Sequence, residues 1–384
     1  LVVAVTVAAC GGDGVSSRND AAADRVLSSR LPELLGNEER SSFPLVLEPR
    51  EFVFPADHAS HSSYRNEWWY LTGNLDSAAG RRYGYELTLF RFALAPLAPR
   101  VDAQSNWRSR QVYIGHFAVT DVARGDFHVA QRYAREALGL AGASGDPLRV
   151  WLDDWSIMDV AGPDDGTNLR WQVSASDDDF GVELQLETAQ RPVLHGVRGL
   201  SQKSAEPGNA SYYYSMPRLE TTGEIRVGTI RERIRGWSWL DREWGSSALA
   251  ANQRGWDWFA LQLEDGSNLM FYRLRRDDGS TDPMSAGTWM PANAATQAIS
   301  ADEVELDVRR YWDSPRGGRY PLDWRMRIPT LGIELEIEPV IDAQELQATV
   351  RYWEGAVDAT GSIRDQRITG RGYVELTGYD LEAQ

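Results

Sequence analysis

The segment GWSWLDREWG, residues 236–245, places three tryptophans beside two carboxylates. In a β-strand, alternate side chains point to opposite faces. One face of this segment would therefore carry Trp237, Trp239, Asp241 and Glu243. The two carboxyl groups would lie about 7 Å apart beside aromatic rings. Burial and mutual repulsion would then raise the pKa of one of them, Asp241 or Glu243, and make that carboxyl group a possible general acid.

A second interpretation places the same two carboxylates at the rim of a barrel, where they pair with arginines. Charged residues in strands commonly occupy such positions. The residue between the two carboxylates, Arg242, would point to the opposite face and contribute mainly to stability. The two interpretations differ in one observable property, because a catalyst requires Asp241 to line a cavity.

Three consecutive tyrosines lie in SYYYSMPRL, residues 211–219. Alternation would send Tyr212 and Tyr214 to one face and Tyr213 to the other. Phenol groups can donate hydrogen bonds and their rings can face a cation, which makes Tyr212 and Tyr214 candidates for catalysis. Ordinary packing of a tyrosine-rich strand explains the same pattern.

His58, His61 and Glu67 fall close together in the segment 56–70, at a spacing that can bind a metal ion. The two histidines lie in a serine-rich loop rather than on a helix that would fix both rings, so we predict that no metal is required. His116 stands alone in a predicted strand and either packs in the core or lines a cavity.

The composition excludes several classes of protein. The net charge is −16, and Lys203 is the only lysine among 40 basic residues, which do not cluster, so we predict no binding to nucleic acid. The chain lacks a phosphate-binding loop, a dinucleotide fingerprint and a G-x-S-x-G motif, so we predict no cofactor. The 15 Trp, 15 Tyr and 10 Phe suit a pocket for an apolar or cationic ligand.

The first residues, LVVAVTVAAC, form an apolar run that ends in small residues and Cys10. This run is too short to cross a bilayer and is typical of the core of a signal peptide. The ending resembles a bacterial lipobox, which implies that Cys10 is lipidated. We therefore expect residues 1–42 to be a truncated lipoprotein signal and a flexible tether that anchors the protein in the bacterial cell envelope. An ordinary signal peptide of a secreted protein is the alternative.

Most of the remaining chain alternates apolar and polar residues over short segments separated by turn signals. Residues 258–276 predict a hairpin, and residues 168–190 predict two strands around an Asp-rich turn. The alternation changes phase within residues 81–94, which predicts a β-bulge. Residues 133–142 predict one short helix. The fold class is therefore all-β, and the length requires two sandwiches or barrels.

The segments 67–92 and 255–276 share an order: tryptophans, a strand, an Asp/Gly turn and an aromatic strand. This similarity is expected of an internal repeat, although chance likeness of two aromatic hairpins is an equal alternative. We predict a domain boundary near residues 232–236, ahead of the tryptophan-rich segment.

Six ordered blocks resemble the family of hydroxyneurosporene synthase (carotenoid 1,2-hydratase) and the AttH-like proteins described as predicted secreted hydrolases. The blocks are EWWYLTG (67–73), YGYELTLFRF (83–92), GHFAVTD (115–121), SYYYSMPRL (211–219), WLDREWGSS (239–247) and GWDWF (255–259). The resemblance covers residues 45–380. It implies two tandem lipocalin-like antiparallel β-barrels, an N-terminal one at 43–234 and a C-terminal one at 235–384.

The resemblance also implies a role for Asp241, since the aspartate of this block is the proton donor proposed for carotenoid hydratases. Protonation of an isolated C=C bond gives a tertiary carbocation, to which water adds. Aromatic and histidine residues near the donor support it in that family. The substrate-binding candidates implied here are Trp237, Trp239, Glu243, His61, Glu67, Trp69 and His116.

The chain departs from the family pattern at one position, because carotenoid hydratases carry a histidine in the block that matches YYYS. This difference argues against a carotenoid substrate, and the lack of a nucleophile–base pair argues against hydrolysis. We expect an apolar isoprenoid or aromatic small molecule as ligand. The predicted activity is cofactor-free hydration, isomerisation or cyclisation at a C=C bond, and the alternative is a lipocalin-like carrier without chemistry.

Overall fold

The computed structural model describes residues 43–96, 109–161, 168–246, 249–348 and 350–379. Cys10 and the predicted signal and tether lie outside the described residues. The described chain consists of 23 β-strands, and its helices are single 3-10 turns at Ala56–His58, Ala301–Glu303 and Pro329–Leu331. None of the described helices is long and apolar enough to cross a bilayer. The predicted all-β class is therefore confirmed.

The first sheet contains thirteen antiparallel strands and forms a nearly closed barrel. Its strands are β1 (Asn66–Ser77), β2 (Arg82–Ala93), β3 (Gln111–Asp121), β4 (Asp126–Arg135), β5 (Ala141–Gly145), β6 (Leu148–Leu152), β7 (Trp155–Asp159), β8 (Leu169–Ser176), β9 (Phe180–Thr188), β10 (Val193–Leu194), β11 (Leu200–Gln202), β12 (Ala210–Val227) and β13 (Ile230–Gly245). The main order is β4-β3-β2-β1-β13-β12-β9-β8-β7-β6-β5. Strands β3 and β4 at one edge contact β5 and β6 at the other.

The second sheet contains ten antiparallel strands and forms a half-barrel. Its strands are β14 (Gln253–Leu263), β15 (Asn268–Arg276), β16 (Ala286–Met290), β17 (Gln297–Ser300), β18 (Glu305–Asp313), β19 (Arg319–Ile328), β20 (Ile333–Pro339), β21 (Glu345–Gln347), β22 (Arg351–Ile363) and β23 (Gln366–Thr377). The main order is β17-β16-β15-β14-β23-β22-β20-β19-β18. The predicted hairpin at 258–276 corresponds to β14 and β15.

The two sheets share one topology: in each, the first strand pairs with the second strand and with the last. The two segments that appeared similar in sequence are the first hairpins, β1–β2 and β14–β15. In the first hairpin Glu67 lies opposite Arg91, and in the second Asp257 lies opposite Arg273. Both acidic residues are fully buried and form ion pairs with these arginines. The similarity in sequence thus corresponds to equivalent places in the two sheets.

The division between the sheets falls between Gly245 and Gln253, not at residues 232–236 as predicted. The predicted boundary cuts through β13, which pairs along its whole length with β12. The first half of β13 carries exposed arginines, but its Ile234 packs in the core of the first sheet. The tryptophan-rich segment that follows it therefore belongs to the first sheet.

Two local predictions were wrong. Residues 133–142 form the end of β4, a turn and the start of β5 instead of a helix, because β4 continues its ladder with β3 to Arg135. Strand β2 contains no bulge, since its pairing with β1 and β3 is continuous. The phase change reflects burial of both faces of β2: Leu87 and Leu89 enter the barrel core, while Phe90 and Phe92 line a cavity on the other face.

Each sheet has its own apolar core, and a third apolar cluster draws side chains from both. Its members include Tyr70 and Tyr213 from the first sheet and Trp258 and Tyr272 from the second. The ring of Tyr70 meets that of Trp258 edge to face, with centroids 5.1 Å apart. This contact zone between the sheets contains the candidate site.

Candidate active site

The pairing of β12 with β13 decides which side chains accompany Asp241. Ser215 lies directly opposite Asp241, and Tyr213 lies opposite Glu243. Directly opposed residues of an antiparallel pair point to the same face. Tyr213, Ser215, Asp241 and Glu243 therefore form one surface that faces the second sheet. Their neighbours along the two strands point into the first barrel.

The carboxyl group of Asp241 is 3% exposed and accepts hydrogen bonds from three side chains. Tyr213 donates to Oδ2, Ser215 donates to Oδ1, and the indole of Trp239 donates to Oδ1 at 2.6 Å. Burial raises the pKa of Asp241 to about 7, because it outweighs the three donors, which favour the ionised form; the nearby charge of Glu243 adds to the increase. Asp241 can therefore hold a proton near neutral pH.

Glu243 has a different environment although it lies only two residues away. Lys203 pairs with its carboxylate at 2.9 Å, and Ser211 donates a hydrogen bond to it. Burial alone would lower the pKa of Lys203, but the Glu243 carboxylate outweighs this effect and raises it, which keeps the ammonium charged. The ammonium also lies 4.4 Å from the ring centroid of Tyr272. Glu243 is thus held in an ion pair, while the proton-bearing carboxyl group is that of Asp241.

A cavity opens beside Asp241 and is lined mainly by aromatic and aliphatic side chains of both sheets. The lining residues are Trp68, Tyr70, Thr88, Phe90, Phe92, Ile114, His116, Gln131, Lys203, Tyr213, Asp241, Glu243, Trp256, Trp258, Tyr272, Leu274, Val350, Tyr352, Glu375 and Thr377. Such a surface suits an apolar ligand that carries few polar groups of its own. The polar side chains of the cavity lie at a few points of its lining.

The cavity contains a second polar region away from Asp241. His116 bonds through Nδ1 to the hydroxyl of Tyr352 at 2.7 Å, and burial lowers the pKa of this histidine to about 3, so its ring is neutral. Burial also raises the pKa of Glu375 to about 8. Two further buried carboxyl groups, Glu86 and Glu354, have pKa values well above the ordinary range because of burial and mutual repulsion. Of these three carboxyl groups only Glu375, on the second sheet, is part of the cavity lining, so the second sheet adds one proton-bearing group to it.

Tyr212 and Tyr214, the tyrosines selected as candidates for catalysis, do not contact Asp241, and Tyr213 takes that place. Tyr214 bonds through its hydroxyl to Nδ1 of His58 at 2.6 Å, and Tyr212 donates to the carbonyl of Glu48 at 2.9 Å. Both rings belong to the core of the first barrel. Their alternation was predicted correctly, but the face that they share lies opposite to that of Asp241.

Three predicted ligand-binding residues, His61, Glu67 and Trp69, also point into the first barrel instead of the cavity. Glu67 pairs with Arg91 and, at 3.0 Å, with Arg242. The His61 ring stacks on Trp244 at 3.7 Å, and the Trp69 indole donates to the carbonyl of His58. The residues of β1 that line the cavity are their neighbours in the alternation, Trp68 and Tyr70.

Trp237 is 41% exposed and packs beside Arg218, outside the cavity lining. Trp239 contacts the carboxyl group of Asp241 directly. Glu243 and His116 line the cavity.

The sequence interpretation missed four residues of the site, namely Tyr213, Ser215, Lys203 and His195. Lys203 could have been noticed, because an isolated lysine in this chain is unusual. Tyr213 and Ser215 belong to the block SYYYSMPRL, but its position relative to Asp241 depends on strand pairing, and no sequence pattern indicated His195.

No group of three or more His, Cys, Asp and Glu side chains with metal-binding geometry occurs within the described ranges. The close pair singled out in the sequence is engaged otherwise, since His58 bonds to Tyr214 and His61 bonds to Asp57 at 3.0 Å.

These features define an all-β protein of two antiparallel sheets with an acid-bearing aromatic cavity where the sheets meet. The sequence profile of the AttH-like family matches residues 45–379, nearly all of the described chain. The chain therefore belongs to the AttH-like family, and the predicted membership is confirmed. No match to a curated protein was found.

Solved structures share this fold. The chain is similar to a crystal structure described as an AttH from Nitrosomonas europaea, with 34% identity, a TM-score of 0.77 and coverage of 88% of this chain and 100% of the other. It is also similar to kievitone hydratase from Nectria haematococca, with 16% identity, a TM-score of 0.64 and coverage of 88% and 99%. The protein CghA matches at 10% identity and a TM-score of 0.51, over 91% and 98% of the two chains. The last two likenesses concern the fold alone.

Proposed function

We propose that this protein is an acid catalyst that protonates a C=C bond of an apolar isoprenoid or aromatic molecule, with Asp241 as the proton donor. One observation carries the proposal: a carboxyl group that is 3% exposed and has a pKa of about 7 lies in the wall of an aromatic cavity. A general acid works best when its pKa is close to the working pH. A residue that served only to pair with an arginine at a rim would have neither property.

The cavity supplies what a cation formed by protonation would need. Transfer of the Asp241 proton to an alkene carbon leaves a carboxylate and a carbocation in one enclosed space. The rings of Trp68, Trp258 and Tyr272 can face that cation, at about 2 kcal/mol or more each when water is excluded. The Asp241 carboxylate would be stabilised by its three hydrogen-bond donors. Water that adds to the cation would return a proton to this carboxylate and restore the acid.

The hydratase outcome is favoured by the shared fold with a protein named kievitone hydratase. That similarity is low in sequence, so the substrate remains defined only by the cavity: an apolar molecule with an alkene close to Asp241. Isomerisation or cyclisation begins with the same protonation and differs in how the cation is discharged. Glu243, two residues from Asp241, is paired with Lys203 and is therefore not free to act as a base.

The test uses the purified protein, a panel of prenylated phenols and acyclic isoprenoid alkenes, and buffer in deuterium oxide. We expect Asp241→Asn to lower turnover by at least about 100-fold, the low end for loss of a general acid, while the fold and the ligand affinity are retained. Products of the parent protein should carry deuterium at the protonated carbon. Tyr214→Phe is the control, since it removes a phenol from the same tyrosine triplet but from the opposite face.

The competing explanation is a carrier that binds the same molecules without chemistry. Tight binding with no product from any alkene in the panel would support the carrier. Full activity of Asp241→Asn, or products that lack deuterium, would show that Asp241 is not the donor.

A further inference from the structure

A chain of hydrogen bonds leads from Asp241 away from the cavity. Ser215 contacts Asp241 Oδ1 and lies 2.6 Å from Nε2 of His195, and Nδ1 of His195 lies 2.8 Å from the hydroxyl of Thr288. All four side chains are at most 4% exposed. Thr288 belongs to the second sheet, so the chain crosses between the sheets. The Ser215 contact also stabilises the Asp241 carboxylate in the proposed protonation step, but the contacts of His195 have no part in that step.

The ring of His195 is neutral, because burial and the nearby ammonium of Lys203 lower its pKa to about 3. A neutral imidazole carries one N–H donor and one nitrogen acceptor, and either nitrogen can carry the proton. Each nitrogen of His195 faces a hydroxyl group, and a hydroxyl can either donate or accept. Both tautomers of this histidine are therefore fully hydrogen-bonded in the same position.

The chain has two complete arrangements that match the two states of Asp241. When Asp241 is an acid, its Oδ1–H donates to Ser215, Ser215 donates to Nε2 of His195, and Nδ1–H donates to Thr288. When Asp241 is a carboxylate, every bond reverses, and Thr288 donates to Nδ1, Nε2–H donates to Ser215, and Ser215 donates to Oδ1. The two arrangements differ by one proton, the acid proton of Asp241, which passes to the solvent when the group ionises in a titration. Ser215, His195 and Thr288 carry the same number of protons in both arrangements, and the ring proton of His195 changes nitrogen.

We propose that His195, acting through Ser215, is a positioning residue that keeps the carboxyl group of Asp241 hydrogen-bonded in both of its protonation states. A fixed donor at this place would favour only the carboxylate, and a fixed acceptor would favour only the acid. The histidine adapts to either state by changing tautomer without gaining charge. The inference rests on the proposed function only where it concerns catalysis. The coupling between His195 and the ionisation of Asp241 can be measured without any substrate.

Among the residues that the structure describes, removal of His195 leaves the Ser215 hydroxyl with Asp241 as its side-chain hydrogen-bond partner. The serine then donates to Asp241 permanently, which favours the carboxylate, and we expect the acid dissociation constant of Asp241 to rise about tenfold through this route. The other charged or titratable groups that act on Asp241 are Glu243, Lys203, Tyr213 and Glu375. They remain in place in every variant and affect all of them alike.

The experiment is a ¹³C NMR titration of Asp-labelled protein, with the Asp241 carboxyl signal assigned from Asp241→Asn. The titration is carried out on the parent, on His195→Leu, on Ser215→Ala and on the double variant. A double-mutant cycle isolates the interaction that needs both partners. We expect His195→Leu to strengthen the acid about tenfold more when Ser215 is present than in the Ser215→Ala background. His195→Gln, whose amide can donate or accept, should restore most of the parental behaviour.

A second measurement needs no core substitution other than for assignment. The chain has only five histidines, so ¹⁵N-histidine labelling gives a simple spectrum, in which His195→Gln identifies the signals of His195. We expect the proton to move from Nδ1 to Nε2 as Asp241 ionises. An unchanged His195 tautomer across the titration, or equal effects of His195→Leu with and without Ser215, would overturn the proposal. Both results concern only the coupling, so they are distinguishable from failure of the proposed catalytic activity.

Discussion

Replacement of Asp241 by asparagine should change how the stability of the protein depends on pH. The carboxyl group has a pKa of about 7 in the folded protein and an ordinary value of 3.8. A folded-state pKa above the unfolded one means that stability is fully present below pH 3.8 and is lost as the pH rises through 7. The asparagine side chain does not titrate, so the variant lacks this loss.

The size of the effect follows from the difference between the two pKa values. At about 1.4 kcal/mol for each pKa unit, the difference between 3.8 and about 7 corresponds to about 4 kcal/mol between pH 4 and pH 9. Other buried carboxyl groups with raised pKa values, such as Glu375, reduce the stability of the parent and the variant together over the same range. The relevant quantity is therefore the difference in unfolding free energy between the two proteins at each pH.

The assay is urea denaturation of the parent and of Asp241→Asn at half-unit steps between pH 4 and pH 9. At low pH the variant should be the less stable protein, because its amide cannot reproduce all the hydrogen bonds of the acid. At high pH the unfolding free energy of the variant should equal or exceed that of the parent. Asp178→Asn, a change at an exposed turn between β8 and β9, serves as the control and should run parallel to the parent. Parallel curves for Asp241→Asn and the parent would refute the reasoning, since Asp241 would then titrate alike in the folded and unfolded chains.

Two further predictions rest on the geometry of the site, and a third rests on the N-terminal sequence. Tyr213→Phe removes a donor to the carboxylate and should raise the pKa of Asp241 in a ¹³C titration, whereas Tyr214→Phe should leave it unchanged and cost about 1 kcal/mol of stability. Arg242→Gln breaks a fully buried ion pair on the barrel side and should lower the unfolding free energy by about 3 kcal/mol or more. The pKa of Asp241 should not change in this variant. A change in the pKa of Asp241 would contradict the separation of the two faces. We also propose a lipid anchor at Cys10, so expression with Cys10→Ser in a bacterial host should move the protein from the membrane fraction to the soluble envelope fraction; unchanged fractionation would exclude the anchor.

The sequence predicted the parts of this molecule that depend on local alternation. Asp241 and Glu243 share a face because side chains two apart in a strand always do, and the hairpin at 258–276 follows from its turn residues. Alternation within one strand does not show which side chains of the neighbouring strand will lie on the same face beside it. The partnership of Tyr213 with Asp241 depends on the register of β12 against β13, which is shifted by an irregularity between Met216 and Leu219.

The rest of the site depends on contacts distant in sequence. His195 and Lys203 lie beside short strands whose positions no periodicity determines, and each reaches the site through long-range packing. The phase change in β2 resembles a bulge in the sequence, but it arises because both faces of this strand are buried. The predicted boundary at 232–236 falls inside β13, because the ladder of this strand with β12 joins residues that no local pattern connects.

The equivalence of the hairpins β1–β2 and β14–β15 has a consequence for how new specificities could arise. Both hairpins present aromatic residues to the same cavity, but Asp241 and its hydrogen-bond donors Tyr213, Ser215 and Trp239 all come from the first sheet. A gene duplication that produced two such sheets would have left one copy free to diverge without loss of the acid. Libraries that vary Trp256 and Leu274 on the second sheet should therefore alter which molecules fit, while Asp241, the proposed proton donor, is unchanged.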